Sequence, residues 1–140
     1  MRGNRGARIC IRPDELINSD HNITQRSGGG PFEFNYTLKG DGIEEWQPRF
    51  TYYGFRYADV EVIEPGDVKE KTEVLALKML HTRNSSPTVG SFSCSDTLLN
   101  QIFDLINWGI RSNMASVATD CPHREKLGWL EQTLRGDRLP

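Results

Sequence analysis

The sequence predicts a mixed fold, β structure first and helix after, and three stretches carry that prediction. In Phe32-Glu-Phe-Asn-Tyr-Thr-Leu38 apolar and polar residues alternate strictly. An extended chain then puts Phe32, Phe34, Tyr36 and Leu38 on one face and Glu33, Asn35 and Thr37 on the other. In contrast, Leu98, Leu99, Ile102, Phe103, Ile106 and Ile110 recur at three- and four-residue spacing, the stripe of an amphipathic helix. Between them, Thr82-Arg-Asn-Ser-Ser-Pro-Thr88 is a polar linker with a proline. Two kinds of structure therefore meet near residue 85, giving domains over 1–85 and 86–140.

Within the first domain, Arg8-Ile-Cys-Ile-Arg12 is expected as a short strand ending at Pro13, and Ser27-Gly-Gly-Gly-Pro31 as a loop. Lys39-Gly-Asp-Gly42 follows the alternating strand as a turn, with glycines free to take positive φ. Residues 46–57 are the most aromatic stretch. Phe50 and Tyr52 share one parity, Tyr53, Phe55 and Tyr57 the other, so a strand with a bulge at Gly54 is expected. Val60 and Val62 continue it to a turn at Glu64-Pro-Gly-Asp67. Val74-Leu-Ala-Leu-Lys-Met-Leu80 is apolar on both parities apart from Lys78, which predicts a strand buried between layers. Short strands separated by frequent turns indicate a sandwich.

In the second domain Ser95 is the expected N-cap, with Asp96 suited to the positive end of the helix. Val117 is placed at the close of the helix, and Pro122 is expected to break it. A stretch this short, with one or two helices, does not enclose a core of its own. The β part is also short of strands for a closed sandwich. The sequence is expected to be an internal piece of a larger protein.

Composition narrows the function. Hydrophobic content of 36% and charged content of 26% suit a globular chain. A net charge of −2 with interspersed signs gives no electrostatic footprint for nucleic acid or an anionic membrane, and neither is expected as a partner. The three cysteines, Cys10, Cys94 and Cys121, are widely spaced and odd in number, so they are read as packed free thiols. The basic start lacks the apolar stretch of a signal peptide, which leaves the compartment open.

Polar chemistry concentrates in Thr119-Asp-Cys-Pro-His-Arg-Glu-Lys-Leu-Gly-Trp129. Asp120 and Glu125 are two carboxylates that, brought together, can have their pKa values driven apart so that one stays neutral as an acid. Arg124 offers a planar fork for a carboxylate or sugar hydroxyls. Trp129 offers a face to the apolar side of a sugar ring. On residue types alone, such a cluster at a helix end is more often a solvated salt-bridge network. Cys121 and His123 provide two metal ligands with no second pair, too few for a zinc signature.

The same stretch resembles the signature of the bacterial α-L-rhamnosidases, inverting glycoside hydrolases with an (α/α)6 barrel. Tyr36-Thr-Leu-Lys-Gly-Asp-Gly42 and Pro48-Arg-Phe-Thr-Tyr-Tyr-Gly-Phe-Arg-Tyr57 are similar to the concanavalin-like β-sandwich that precedes that barrel. Ser91-Phe-Ser-Cys-Ser95 with Leu98-Leu-Asn-Gln-Ile102 is similar to the start of the first barrel helix. The resemblance covers roughly residues 8–132 in order. It implies the C-terminal part of the sandwich over 1–85 and the first helix or helices of the six-hairpin barrel over 86–140.

The resemblance also implies roles. Glu125 aligns with the general acid that protonates the glycosidic oxygen. Asp120 and Arg124 align with residues that hold rhamnose hydroxyls, and Trp129 lines the same pocket. The substrate implied is a rhamnose-containing glycoside or polysaccharide, with no cofactor and no metal. The catalytic base lies far downstream in the family, so this chain alone is expected to be inactive. Glu131-Gln132 stands where some members carry Gly-Asp, and Thr133 to Pro140 looks unrelated to the family pattern. The alternative is a non-catalytic carbohydrate-binding β-sandwich module that uses the aromatics of 50–57.

Overall fold

The computed structural model describes residues 1–25 and 30–129. The chain divides into two compact units, Met1–Met79 and Leu80–Pro140. The glycine-rich loop expected at 27–31 lies mostly outside the described residues, as do Glu131, Gln132 and everything after them.

The first unit is built on a three-stranded antiparallel sheet of β1 (Arg8–Asp14), β2 (Phe34–Thr37) and β3 (Tyr57–Ile63), in the order β2-β1-β3. The register puts Ile9 between Tyr36 and Val62, and Ile11 between Phe34 and Val60, so these residues share one apolar face. The opposite face carries Cys10, Arg12, Asn35, Asp59 and Glu61. There Arg12 reaches Glu33, Asp59 and Glu61 at 3.5, 3.3 and 2.5 Å. Ala7, Ile9, Cys10 and Leu38 form the buried centre. Phe32 stacks on the buried Tyr53 and meets Phe34 edge-on, and Trp46 stacks on Tyr36.

The alternation of 32–38 is realised in β2, where Phe34 and Tyr36 are half-buried and Asn35 and Thr37 exposed. The glycine turn also forms as expected. Gly40 and Gly42 have φ of 78° and 76°, and a Cβ on Gly40 would lie 2.7 Å from the backbone nitrogen of Arg5. Glu44 ties this turn together: its carboxylate accepts from Lys39 N, Gly40 N and the Tyr36 hydroxyl at 3.1, 2.9 and 2.8 Å. Those donors outweigh the opposing effect of burial and hold its pKa below the usual carboxylate value.

Three expectations for the first unit need correction. β1 does not end at Pro13 but runs through it to Asp14. The Pro13 carbonyl accepts from Gln25 Nε2, so its backbone edge faces away from β3 and the missing N–H costs the ladder nothing. The aromatic stretch 46–57 is not a strand; β3 begins only at Tyr57, and Phe50 sits at a φ of 57°. The segment 74–80 is neither a strand nor buried. Leu75, Leu77, Met79 and Leu80 are exposed, because among the described residues no strand pairs with this segment.

The second unit contains one described helix, α1 (Thr97–Asn113). Its N-cap is Asp96, not Ser95: the Asp96 side chain accepts from Leu98 N at 2.8 Å. The half-buried face is Phe103, Asn107 and Ile110, whereas Leu98, Leu99, Ile102, Leu105 and Ile106 are exposed. Pro122 does not end the helix, and Val117 is not its last turn. The helix stops at Asn113, where Met114 leaves helical geometry with φ −111° and ψ 79°. Ser112 Oγ and Asn113 Nδ2 both donate to Gly109 O, and Thr119 N donates to Asn113 O. No helix among the described residues is long and apolar enough to cross a membrane.

Candidate active site

The polar motif forms a loop that folds back on the end of α1. An isolated bridge between Met114 and Ala118 reverses the chain. Thr119 then donates twice to Asn113 O, from its backbone N at 2.9 Å and from Oγ1 at 3.1 Å. Asp120 closes the next circuit. Its backbone N donates to Leu127 O at 3.0 Å, and its Oδ1 accepts from Leu127 N at 3.0 Å and Cys121 N at 2.9 Å. Oδ2 accepts from the indole Nε1 of Trp129 at 3.2 Å. One carboxylate therefore pins a seven-residue excursion and the aromatic ring that follows it.

The loop has a buried floor and an exposed rim. Thr119 and Cys121 are 7% and 9% exposed. Above them, the side chains of Arg124 and Glu125 are 51% and 47% exposed, and Trp129 is 49% exposed. Lys126 takes a φ of 53° to make the tight return. Gly128 packs so closely that a Cβ would stand 3.3 Å from Val117 Cγ2 and 3.4 Å from Ala118 O.

Glu125 is held by two neighbours. The Cys121 thiol donates to Oε2 at 3.1 Å, and Arg124 Nε lies 3.7 Å from the same oxygen. The thiol bond is the largest reason that the Glu125 pKa falls below its ordinary value. Its own backbone N–H and Arg124 help, while burial and Asp120 oppose. For Asp120 burial pushes upward, but the donors from Leu127, Trp129 and Cys121 together win and its pKa also falls. Burial pulls the Lys126 ammonium downward.

All four predicted residues, Asp120, Arg124, Glu125 and Trp129, thus meet in one loop, with two differences from expectation. The carboxylates are not driven apart in pKa, because each has its own donors. Nor is the cluster a simple salt-bridge network: Arg124–Glu125 is its ion pair, but Asp120 is held by N–H groups. Sequence reasoning missed Thr119 and Cys121 as the residues that hold the loop. The only signal was their place beside the acids, with Pro122 stiffening the corner.

Asp120, Cys121 and Glu125 bring one potential metal-ligand atom each within 4.8 Å of one another. The hydrogen bonds just described already account for that proximity, with protons between the three groups. A cavity of about 320 Å³ lies elsewhere in this unit, lined by Arg83, Asn84, Thr88, Phe103, Asn107 and Arg111 among others, and none of the predicted site residues lines it.

Comparison with known proteins gives this loop its context. The family model for the bacterial α-L-rhamnosidase concanavalin-like domain matches residues 1–80. That for the bacterial α-L-rhamnosidase six-hairpin glycosidase domain matches 87–136, continuing past Gln132, where the sequence reading put the end of the resemblance. An α-L-rhamnosidase of Streptomyces avermitilis is 39% identical over 129 residues, which are 91% of this chain and 12% of that protein. One from Formosa agariphila is 36% identical over 125 residues, 86% of this chain and 13% of that protein. Among solved structures, the α-L-rhamnosidase from Dictyoglumus thermophilum superposes with a TM-score of 0.71 at 33% identity, covering 91% of this chain and 14% of that one. The S. avermitilis α-L-rhamnosidase complexed with L-rhamnose gives a TM-score of 0.65 at 34% identity, over 92% of this chain and 12% of that one. The chain thus spans only 12–13% of the length of these two sequence relatives. With one domain type matched before the linker and the other after it, in the order the family has them, this chain belongs to the bacterial α-L-rhamnosidases.

Proposed function

We propose that these residues form the acid side of a rhamnosidase active site, the full protein hydrolysing terminal α-L-rhamnose from glycosides or polysaccharides with inversion. Glu125 is the general acid. Arg124 and Asp120 hold the sugar hydroxyls, and Trp129 lines the pocket. The observation that carries the reading is the carboxyl of Glu125, raised on a pinned loop beside Arg124 and Trp129 within the segment that matches a glycosidase domain. Asp120 has two tasks here. Its Oδ1 is taken by the loop, whereas Oδ2 accepts one N–H and keeps capacity for a sugar hydroxyl. We assign 1–85 to the end of the sandwich and 86–140 to the start of the helical domain.

In the reaction the proton of Glu125 passes to the glycosidic oxygen as the C–O bond breaks. A second carboxylate, about 6.5–9.5 Å away across the sugar, removes a proton from the attacking water. Asp120, with a carboxylate oxygen within 4.8 Å of Glu125, stands too close for that role, and we expect the chain by itself to be inactive. The test is Glu125→Gln in the full-length rhamnosidase that carries this segment. Hydrolysis of an alkyl rhamnoside should fall by about 10²–10⁴-fold, the usual share of a general acid. The parent should release β-rhamnose first, read by proton NMR. Unchanged hydrolysis in the variant, or α-rhamnose as first product, would overturn the proposal.

A further inference from the structure

We propose that Cys121 is a positioning residue for the proton donor, its buried thiol fixing the Glu125 carboxyl for delivery to the glycosidic oxygen. The inference rests on the reading of Glu125 as general acid. The thiol is held from both sides of its own backbone. Cys121 N donates to Asp120 Oδ1 at 2.9 Å, and its carbonyl accepts from Thr119 Oγ1 at 3.4 Å. Pro122 then restricts the Cys121 backbone to extended conformations. The thiol sulfur, which also bears on the Asp120 carboxylate, lies 3.1 Å from Glu125 Oε2. Arg124 Nε, at 3.7 Å from the same oxygen, supplies charge but no hydrogen bond of ordinary length. A half-exposed glutamate without such a tie would sample many rotamers, and the thiol removes that freedom from below.

The same contact has an electrostatic effect. A donor to the carboxylate favours its ionised form, which makes Glu125 readier to give up its proton. The charged or titratable groups bearing on Glu125 are Cys121, Arg124 and Asp120, so loss of the thiol leaves an attractive and a repulsive charge in place. The first unit provides a control of identical chemistry. Cys10, buried in β1, donates to Glu33 Oε2 at 3.0 Å, where no reaction is proposed.

The test compares Cys121→Val, which removes the donor, with Cys121→Ser, which keeps one, in the full-length rhamnosidase. Each is assayed on an alkyl rhamnoside and on a dinitrophenyl rhamnoside, whose leaving group needs little protonation. C121V should lose about tenfold or more in kcat on the alkyl substrate, with KM unchanged, but less than about twofold on the dinitrophenyl one. The alkaline limb of its kcat/KM profile should move to higher pH, because the acid it reports has lost a partner of its ionised form. C121S should recover part of both effects, and Cys10→Val should show neither. Equal losses on the two substrates with an unmoved alkaline limb would overturn the proposal. Should C121V not fold, Cys121→Ala makes the same comparison without added bulk. E125Q separates the two failures. If it shows no leaving-group dependence, the reading of Glu125 is wrong; if it does and C121V does not, only the role of the thiol falls.

Discussion

Replacement of Thr119 by valine tests whether the loop is held where it meets the helix. The hydroxyl of Thr119 is buried and donates to Asn113 O at 3.1 Å, with Cys121 O farther off at 3.4 Å. Valine keeps the shape and removes the donor. Asn113 O still accepts from Thr119 N at 2.9 Å, so that carbonyl is not stranded, and Cys121 O loses only a long contact of 3.4 Å. What is lost is the net value of one hydrogen bond, about 1 kcal/mol. In a domain of about 150 residues or more that is a fall in Tm of about 2–4 °C or less. Denaturant unfolding gives the free energy, and hydrogen exchange of the amides of Cys121 and Leu127 gives the local effect. Both amides donate to Asp120, one residue beyond the lost bond, so they should exchange faster. A loss above about 3 kcal/mol would show that a polar group had been stranded. No loss and unchanged exchange would show that the hydroxyl does not pin the loop.

Two further outcomes follow from other caps and carboxylates. Asp96→Ala removes the acceptor for Leu98 N and should cost about 1 kcal/mol, seen as reduced helical circular dichroism, while Asp96→Ser should retain most of it; equal loss in both would refute the cap. Glu44 and Glu64 both have pKa values held below their ordinary 4.5, chiefly by the N–H groups of Lys39 and Thr72. Depressed values mean that their contribution is full above the ordinary value and drains away as pH falls through the native ones. Glu44→Gln and Glu64→Gln should therefore weaken the protein at about pH 7 and cost less near pH 3, followed by denaturant unfolding at each pH. A constant deficit at both would refute the linkage.

The parts that could be read from the sequence are those whose signal is local and repeating. Strand β2 was legible because one of its faces is wet, so every second residue declares its side. Helix α1 was legible from its stripe, and the turn at Gly40 and Gly42 from the residue type that positive φ favours. Pro13 misled because a missing N–H matters only on the side that pairs, and the sequence does not say which side that is. The segment 74–80 misled for a different reason. A residue apolar on both faces announces a need for neighbours without supplying them, and here Leu77 and Met79 remain exposed. In the loop the chemical residues were visible by type. Their supports were not: Thr119 and Cys121 act through non-periodic bonds to backbone and side chain, which spacing does not encode.

That division bears on how the site works. Among the described residues, the thiol and guanidinium next to Glu125 and the hydrogen bonds that pin its loop come from residues 113–129, so much of the geometry is local. Its protonation state is another matter. A general acid must be neutral when substrate arrives, and that calls for burial or a second carboxylate close by. The loop supplies both influences: partial burial and the nearby Asp120 favour the neutral form, but the thiol donor, the Glu125 backbone N–H and Arg124 outweigh them. On the proposed role of Glu125, its position is encoded within the loop, whereas the neutral form would be favoured by the substrate and base of the proposed reaction.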